Sequence, residues 1–515
     1  MATGFNAAEY LLSAGHPDAT AVVSPRRSLS YAELAAESRR VAAGLTELGV
    51  RPEERVMFCM ADDVELLSGI LGAMLAGAVA VPVSTMVTGL ELGKMLADSR
   101  ARVLAVSGEF ADQAVTALGL APEVTDVLLD RSDATGIPVR THQWASLGGT
   151  FHNGRTWEDS PALWLYTSGT TGQPKGAMHR HASIRAVCET YARGVLATTP
   201  ADRFLSVPKL FFAYGLGNSC FFPLAAGGTT LLEPSRPTPA LFARRAREEQ
   251  PSLFFAVPTF YAALLASDVP DDSFSSVRHA VSAGEPLPAS LFERFRARFG
   301  LEILDGIGST EALHIFLSNR PGEVRPGSTG VAVPGYDVQL RDEAGAVIDV
   351  PGKPGELFVA GPSTATGYWA RYDATKLVFQ GEWLRTGDSY VRNEDGTFSC
   401  LGRFGDMLKA GGIWVSPSEV EERLRQHPAV AEVAVVAAPD ADGLDKPVAC
   451  VVAAPGFAVD PAELIEFCRE GLAAFKRPRG VVELAELPKT ATGKIRRNVI
   501  REQVRDALRA VAPHP

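Results

Sequence analysis

Residues 166–176 read Tyr-Thr-Ser-Gly-Thr-Thr-Gly-Gln-Pro-Lys-Gly and decide how the rest of the chain is interpreted. They follow Ala-Leu-Trp-Leu at 162–165, an apolar run that predicts a β-strand, so the loop is expected at the end of a sheet. Glycines let backbone N–H groups approach phosphate oxygens, the hydroxyls add donors, and Lys175 brings a positive charge. A Walker loop ends in Gly-Lys-Ser/Thr, whereas Gly176 follows the lysine here. A different kind of phosphate loop is therefore predicted, in preference to a polar surface loop.

The bulk composition predicts a globular chain of more than one domain. At 515 residues the chain exceeds what one core usually supports. It is 46% hydrophobic and 21% charged, which excludes a largely disordered protein, and its net charge of −10 argues against a nucleic-acid-coating role. The six cysteines include no Cys-x-x-Cys pair, so neither a zinc site nor a disulfide framework is predicted. Reduced thiols and the absence of a signal-peptide pattern in residues 1–20 predict a cytoplasmic location.

One uncharged segment, residues 66–83, is long enough to be weighed as a membrane span. Three glycines and a proline interrupt it, and it lies within a pattern typical of a water-soluble chain. A buried helix that leads into a core strand at 78–81 is predicted instead, with no transmembrane segment.

Helical and strand patterns alternate from Tyr31 to Leu129 and predict a layered α/β architecture with mostly parallel strands. Residues 327–401 predict a small β-rich, barrel-like subdomain. The last hundred residues alternate between shorter helices and strands and predict a small α+β domain.

Two further stretches each have two interpretations when taken alone. Residues 209–218 contain three aromatic residues among glycines, a pattern that fits either a hydrophobic core or a pocket whose ring faces stack on a planar substrate. Residues 303–315 read Ile-Leu-Asp-Gly-Ile-Gly-Ser-Thr-Glu-Ala-Leu-His-Ile. Thr310 and Glu311 fit either a helix N-cap or a carboxylate placed for a magnesium ion that bridges phosphates. Together with the phosphate loop, the nucleotide interpretation is favoured.

These stretches, with Thr-Gly-Asp at 386–388 and Leu-Pro-Lys-Thr-Ala-Thr-Gly-Lys at 487–494, resemble the motifs of the adenylate-forming superfamily. That superfamily contains acyl-CoA synthetases, peptide-synthetase adenylation domains and luciferases. Phe-Phe-Ala-Tyr-Gly-Leu-Gly-Asn at 211–218 is similar to the aryl pocket of benzoate-CoA and hydroxybenzoate-CoA ligases. Ile307 stands where the wider superfamily usually has an adenine-stacking tyrosine, and the benzoate ligases share the aliphatic residue. The resemblance extends over essentially the whole chain.

The resemblance implies an AMP-forming ligase that activates an aromatic carboxylic acid with ATP and Mg²⁺ and transfers it to coenzyme A. It implies an N-terminal domain over 1–403 that binds ATP and the aryl acid, a hinge at 404–406, and a mobile C-terminal domain over 407–515. The hinge residue is Gly405, where the family commonly has Asp or Lys. No nucleic-acid or membrane partner is expected, and the predicted state is a monomer or homodimer.

The site residues implied are as follows. The catalytic residues are Lys494, Glu311 and Thr310, and the magnesium ligands are Glu311 and Thr170. The ATP and CoA contacts are Thr167, Ser168, Gly169, Thr170, Thr171, Gly172, Lys175, Ala283, Gly284, Glu285, Pro286, Asp305, Gly306, Ile307, Asp388, Arg403, Gly412 and Lys476. The aryl-acid contacts are Phe212, Ala213, Tyr214, Ala283, Gly308, His314 and Ile315.

Two rival functions stay open from the sequence. One is an aryl-adenylating enzyme that loads a carrier protein in place of CoA. The other is a non-catalytic ATP-binding protein on the same scaffold, which the presence of Glu311 and Lys494 argues against. The ring substituent is not specified by the sequence, because one polar contact separates benzoate from its hydroxy and amino derivatives.

Overall fold

The computed structural model describes residues 4–132, 136–168, 174–403, 408–410, 413–415, 417–439, 445–469, 472, 476–489, 495–497 and 499–504. For strand residues 168, 403, 408–410, 413, 414, 439 and 445 it describes the backbone alone.

The strands in chain order are β1 (Thr20–Val23), β2 (Ser28–Ser30), β3 (Arg55–Cys59), β4 (Val79–Pro82), β5 (Val103–Ser107), β6 (Asp126–Asp130), β7 (Arg140–Gln143), β8 (Pro161–Ser168), β9 (Pro174–Arg180), β10 (Arg203–Ser206), β11 (Thr229–Leu231), β12 (Leu253–Ala256), β13 (His279–Ser282), β14 (Ile303–Gly308), β15 (Ile315–Ser318), β16 (Val331–Ala332), β17 (Asp337–Arg341), β18 (Pro354–Ala360), β19 (Phe379–Gln380), β20 (Trp383–Arg392), β21 (Phe398–Arg403), β22 (Leu408–Ala410), β23 (Ile413–Val415), β24 (Val430–Pro439), β25 (Asp445–Ala453) and β26 (Gly480–Glu483).

The α-helices are α1 (Ala7–Leu12), α2 (Tyr31–Glu47), α3 (Val64–Leu75), α4 (Gly89–Ser99), α5 (Ala111–Leu118), α6 (His181–Val187), α7 (Ala213–Leu216), α8 (Phe222–Ala226), α9 (Pro239–Glu249), α10 (Pro258–Leu265), α11 (Ala289–Phe299), α12 (Tyr372–Val378), α13 (Pro417–Arg425) and α14 (Pro461–Arg469). Two π-helical turns occupy Cys188–Arg193 and Gly217–Phe221.

The chain divides into two compact units. The first comprises Met1–Val338 and Val359–Arg385, and the second comprises Gln339–Phe358 and Thr386–Pro515. The predicted boundaries at 403 and 407 remain a prediction, and the predicted hinge residue Gly405 lies outside the described residues.

The first unit is built on two large sheets. One has seven strands in the order β7-β6-β5-β3-β4-β8-β9, and the other has nine in the order β16-β15-β14-β13-β12-β10-β11-β1-β2. Within the seven-stranded sheet only the β8–β9 pair is antiparallel. The parallel strands read as continuous apolar runs because both faces are covered, and strand residues such as Met57, Val81 and Leu104 are fully or almost fully buried. The predicted α/β architecture is confirmed.

The segment weighed as a membrane span folds into two separate elements. Helix α3 covers its first part and strand β4 its last, as predicted. Asp63 caps α3 by accepting the backbone N–H of Val64. No helix in the described parts of the chain is long and apolar enough to cross a membrane.

The segment after the phosphate loop begins with a strand. The sequence predicts a helix over residues 179–196, but residues 174–180 form β9 and helix α6 begins at His181, so the prediction is wrong for residues 179 and 180. The backbone of residues 174–180 pairs with β8 as a hairpin, which places His179 opposite Leu163. The sequence pattern did not reveal this strand, because its residues alternate only weakly between polar and apolar.

The second unit carries the predicted small α+β fold. Strands β24, β25 and β26 form a three-stranded sheet, and α13 and α14 pack on one of its faces with Val420, Leu424 and Leu464 buried. In the same unit β20 pairs with β21, and Asp388 lies opposite Arg403.

Candidate active site

The β8–β9 hairpin positions the predicted phosphate loop. Its register pairs Thr167 with Lys175 and Ser168 with Pro174, so the two strands bracket residues 169–173 at the end of the sheet. Gly169, Thr170, Thr171 and Gly172 lie outside the described residues, as does the side chain of Ser168. The backbone of residues 166–168 and 174–176, which the sequence analysis assigned to the loop, therefore belongs to the paired strands β8 and β9.

A second segment, residues 366–369, runs beside β9 and brings an aromatic side chain to the hairpin. The N–H of Trp369 donates to the carbonyl of Gly176 at 2.9 Å, and the N–H of Met178 donates to that of Gly367 at 3.0 Å. Gly367 has φ of 144°, a conformation that disfavours a side chain. With the backbone of residues 366–369 held against β9 in this way, the ring centroid of Tyr368 lies 5.5 Å from the ammonium of Lys175.

Tyr368 also contacts the predicted magnesium ligand. Its hydroxyl donates a hydrogen bond of 2.6 Å to Oε1 of Glu311. The N–H of Ala365 donates to the carbonyl of Glu311 at 2.7 Å. Burial, together with the Glu311 carboxylate, raises the pKa of Tyr368 above its usual value, so the phenol stays protonated and donates. Lys175, Tyr368 and Glu311 thus form one connected group beside the loop.

The segment that carries Thr310 and Glu311 is a turn between two strands. Strand β14 ends at Gly308 and β15 begins at Ile315, with no helix between them. The alternative that Thr310 and Glu311 cap a helix is therefore wrong. The N–H of Ala312 donates to Oγ of Ser309 at 3.1 Å, which closes the turn locally.

The side chain of His179 forms a hydrogen bond with this turn. Its Nε2 lies 2.8 Å from the carbonyl oxygen of Thr310, and since a carbonyl only accepts, this nitrogen carries the proton. The side chain is almost fully buried, and burial lowers its pKa to about 4. A neutral imidazole on β9 therefore ties the hairpin strand to the turn of Thr310 and Glu311.

The predicted adenine contacts lie at the ends of β13 and β14. Asp305 is the third residue of β14 and pairs with Ser282 on β13. Burial raises its pKa well above the usual range, and its Oδ1 accepts no hydrogen bond from the described residues. This oxygen is therefore an acceptor left without a partner among the described residues, at a strand position predicted to contact ATP. Gly306 and Ile307 follow on the same strand.

The turn after β13 holds the other four predicted contacts. Ala283 is buried and Gly284 has φ of 95°, so this position favours glycine. Oε2 of Glu285 accepts a hydrogen bond of 2.9 Å from Thr259, which orients that side chain. Pro286 is exposed. The structure therefore brings the two predicted nucleotide stretches to adjacent strand ends.

The predicted aryl pocket contains Tyr214 and His314 in ring contact, with centroids 5.5 Å apart. Phe222 packs edge-on against His314 at 4.4 Å, and Tyr191 lies 5.5 Å from it. The hydroxyl of Tyr214 donates to the carbonyl of Val281 at 3.1 Å, at the end of β13. Within residues 209–218 the ring of Phe211 is buried, whereas Phe212 and Tyr214 are half-buried, so the core interpretation is confirmed for Phe211 and the pocket interpretation of the other two rings stays a prediction.

The remaining predicted aryl contacts surround these two rings. Phe212 and Ala213 lie at the start of α7 and are half-buried, whereas Ile315 is buried. Gly308 pairs with Ile315, and a side chain there would lie 2.5 Å from the carbonyl oxygen of His314. Glycine at 308 is therefore required for the close approach of the two strands.

Asn218, on the π-helical turn after α7, orients His314. Nε2 of His314 lies 3.1 Å from Oδ1 of Asn218, and both side chains are buried. A methyl group at Gly217 would lie 2.3 Å from Cδ2 and 2.7 Å from Nε2 of the histidine. Burial lowers the pKa of His314 to about 3, so the imidazole is neutral at physiological pH.

Several predicted site residues belong to the second unit or lie outside the described residues. Asp388 is on β20, where its N–H donates to Oγ1 of Thr386 at 3.1 Å. Lys476 forms an ion pair of 2.5 Å with Glu419. Gly412 and Lys494 lie outside the described residues, and Arg403 is described by its backbone alone.

Sequence reasoning missed three residues that the structure places in or beside the site: Tyr368, His179 and Asn218. The Gly-Tyr-Trp run at 367–369 predicts only a turn, and no local pattern connects Tyr368 with Glu311. The helical pattern of residues 179–196 conceals the role of His179. Asn218 lies within the aromatic stretch, but no sequence pattern reveals its contact with a histidine 96 residues away.

Comparison with known proteins agrees with this arrangement. The family model for AMP-binding enzymes matches residues 12–369, and the model for the C-terminal domain of AMP-binding enzymes matches residues 419–494. The chain belongs to the AMP-binding, adenylate-forming enzyme family.

Three similar proteins indicate which kind of ligase within this family the chain resembles. The chain is 42% identical to a benzoate–CoA ligase of Thauera aromatica, with 96% of each chain covered. It is 41% identical to a 4-hydroxybenzoate–CoA/benzoate–CoA ligase of Rhodopseudomonas palustris, covering 96% of this chain and 93% of the relative. The crystal structure of the anthranilate CoA ligase AuaEII in complex with anthranoyl-AMP matches with a TM-score of 0.92, 35% identity and 99% of each chain. The predicted fold and the predicted enzyme class, an AMP-forming acid–CoA ligase, are confirmed.

Proposed function

We propose that this chain activates benzoate or a substituted benzoate with ATP and transfers it to coenzyme A, releasing AMP and pyrophosphate. The observation that carries the proposal is the group formed by Lys175, Tyr368 and Glu311 next to the β8–β9 hairpin, in the same unit as the paired rings of Tyr214 and His314. A cation and an acceptor carboxylate beside a phosphate loop suit a nucleotide, and flat rings suit an aromatic acid.

The chemistry explains why both parts are needed. A carboxylate is a poor electrophile, because its charge repels nucleophiles and its oxygen leaves badly. In the first half-reaction the aryl carboxylate attacks the α-phosphate of ATP, the bond to the β-phosphate breaks, and pyrophosphate leaves. In the second, the CoA thiol attacks the acyl carbon and AMP leaves with the bonding electrons. Binding the two reactants in line supplies much of the acceleration.

Within this scheme the first unit binds and orients. Lys175 and the loop hold the pyrophosphate that leaves, and the buried carboxyl of Asp305 faces the nucleobase. The rings of Tyr214 and His314 hold the aryl group. Because Tyr368 donates to Oε1 of Glu311, the carboxylate keeps a fixed orientation toward the loop.

The donor set fits magnesium. Mg²⁺ in phosphate sites takes one or two carboxylates together with phosphate oxygens, and Glu311 offers one carboxylate beside the loop. We propose Glu311 and Thr170 as the protein ligands, and when bound the ion offsets the negative charge that grows on the phosphates.

The remaining assignments are taken from the family resemblance. Lys494 is proposed to approach the α-phosphate during adenylation, Asp388 and Arg403 to bind the ribose, and Gly412 and Lys476 to contact CoA. Gly405 is proposed as the pivot about which the C-terminal domain swivels between the two half-reactions. The cytoplasmic location and the monomeric or homodimeric state stay predictions.

The substrate acid is proposed as benzoate, a hydroxybenzoate or an aminobenzoate, which is the range that the three relatives act on or bind. The direct test is a thioester assay with free CoA over benzoate, salicylate, the other hydroxybenzoates and the aminobenzoates. We expect AMP and an aryl-CoA with at least one of them. If an aryl-AMP forms but free CoA accepts nothing, the carrier-loading alternative is correct. If no aromatic acid is activated, the proposal is wrong.

A further inference from the structure

We infer that Asp98, a residue outside every motif described above, is a positioning residue for ATP. It makes three contacts in the first unit, and each leads toward the phosphate loop or Glu311. The inference rests on the proposed function, because it assigns a task in binding ATP to a residue that does not touch the proposed site.

The first contact reaches the base of the phosphate loop. Oδ2 of Asp98 accepts a hydrogen bond of 2.7 Å from the hydroxyl of Tyr166. Tyr166 lies two residues before the end of β8, where the loop begins. Burial, together with the Asp98 carboxylate, raises the pKa of Tyr166 above its usual value, so the phenol remains a donor.

The second and third contacts reach the segment that carries Tyr368. Oδ1 of Asp98 accepts a hydrogen bond of 2.6 Å from Nη2 of Arg371. The backbone carbonyl of Asp98 accepts a hydrogen bond of 2.9 Å from Nε1 of Trp369. Tyr368, between glycine and this tryptophan, donates to Glu311 at 2.6 Å. One residue therefore holds both the strand that leads into the loop and the segment that orients the magnesium ligand.

The helix that carries Asp98 does not account for a carboxylate at this position. It lies in the last turn of α4, where the negative end of the helix dipole repels an anion. That turn contains no basic residue of its own. The guanidinium of Arg55 donates to the carbonyls of Ser99 and Arg100, which a carboxylate, being an acceptor only, could not satisfy. The Asp98 side chain therefore does not cap the helix.

The side chains between Asp98 and the hairpin are closely packed. The rings of Trp164 and Trp369 lie 4.8 Å apart, and the Arg55 guanidinium stands 5.4 Å and 5.6 Å from their centroids. Tyr166 on β8 pairs with Gly176 on β9, so its ring lies against the hairpin partner strand. Close-packed side chains move together, so a shift at Asp98 reaches both strands of the hairpin.

The test compares Asp98→Asn with Asp126→Asn in the full-length enzyme. Asp126 is a matched control, because it is also a carboxylate of the seven-stranded sheet region with an arginine and a hydroxyl partner, but it lies on β6, away from the hairpin. For Asp98→Asn we expect the KM for ATP in acid-dependent pyrophosphate exchange to rise about tenfold, the loss typical of one charge-assisted hydrogen bond. The KM for the aromatic acid should stay within about twofold of wild type, since the aryl pocket keeps its contacts.

A purely structural role predicts a different pattern. The KM values for ATP and acid would then rise together in both variants, in step with their losses in Tm, and that result would overturn the inference. An unchanged KM for ATP in Asp98→Asn would overturn it as well.

Tyr166→Phe keeps the inference testable if Asp98→Asn fails to fold, because it removes one hydroxyl. We expect it to raise the KM for ATP alone, and the double variant to be no worse than Asp98→Asn. Full additivity in the double variant, or no effect of Tyr166→Phe, would contradict the inference. If the wild-type enzyme shows no acid-dependent pyrophosphate exchange, the proposed function is wrong, whatever the role of Asp98. Calorimetric titration of wild type and each variant with MgATP then still measures whether Asp98 contributes to ATP binding.

Discussion

The hydroxyl of Tyr368 lies 2.6 Å from Oε1 of Glu311, and the same ring lies 5.5 Å from the ammonium of Lys175. One tyrosine therefore contacts both charged groups that the structure places beside the phosphate loop. Its backbone is held against β9, so the orientation of the Glu311 carboxylate depends on the hairpin that carries the loop.

The first prediction concerns this tyrosine. Tyr368→Phe keeps the ring beside Lys175 and removes only the hydrogen bond to Glu311. We expect the Mg²⁺ concentration for half-maximal adenylation to rise and kcat to fall by about tenfold, the effect of losing one hydrogen bond to a charged group. Tyr31→Phe is the control, because its buried hydroxyl donates to the carbonyl of Gly228 far from these groups. Equal Mg²⁺ dependence in the two variants would refute the role of Tyr368.

The second prediction concerns the aryl pocket. In Gly217→Ala the new methyl group meets the ring of His314 at 2.3 Å, so the imidazole moves and its contact with Asn218 is lost. We expect the KM for the aromatic acid to rise more than about tenfold while the KM for ATP is unchanged, since a packed core resists added volume. Gly148→Ala is the control, because a methyl group there contacts nothing within 4 Å. A rise in the KM for ATP alone would place His314 outside the acid pocket.

The third prediction concerns acid stability. Burial lowers the pKa of His179 and His181 to about 4 and that of His314 to about 3. Each histidine is neutral in the folded chain but takes up a proton on unfolding below about pH 6.5. Above that pH the histidines are neutral in both states and do not destabilise the fold. As the pH falls toward 4, proton uptake by the unfolded chain lowers the free energy of unfolding. The free energy of unfolding should therefore decrease by about 1.4 kcal/mol per pH unit for each histidine in this window.

Denaturant unfolding at pH 7.5 and pH 5.0 measures this slope. His181→Asn should reduce the slope by about one proton, whereas His16→Asn, at an exposed position, should leave it unchanged. A slope in His181→Asn equal to that of wild type would show that His181 is protonated in the folded state.

The fourth prediction separates the two half-reactions. Lys494→Ala should abolish formation of the aryl adenylate and spare formation of the thioester from a supplied aryl adenylate, because the lysine is proposed to act at the α-phosphate alone. The two reactions are measured separately, by pyrophosphate exchange and by CoA consumption. Equal loss of both would contradict the assignment of Lys494.

Much of this architecture follows from local sequence. The apolar runs of β3, β5 and β12 are buried on both faces, and the end of β8 delivers the glycine- and hydroxyl-rich loop, so sheet and loop were predictable together. The family motifs predicted which residues bind the nucleotide and the acid, and their order along the chain predicted the fold class, which is confirmed.

The contacts that orient those residues were not predictable. Strand β9 was missed because its pairing with β8 and with residues 366–369 is decided by partners, one of which lies almost two hundred residues away. The bond between Tyr368 and Glu311 and the three contacts of Asp98 join segments that no periodicity connects. Tertiary packing determines such pairs, and a single sequence carries no local signal for them.

The central claim is that an aromatic acid is activated as an enzyme-bound adenylate before it reaches CoA. The most direct measurement is a rapid-quench experiment with α-phosphate-labelled ATP, Mg²⁺ and benzoate or the best acid of the panel. Without CoA, the account predicts that label accumulates as aryl-AMP at about one equivalent per chain, with release of pyrophosphate, and that added CoA converts it to aryl-CoA and AMP. Formation of labelled ADP, or of AMP that does not depend on the acid, would contradict the account.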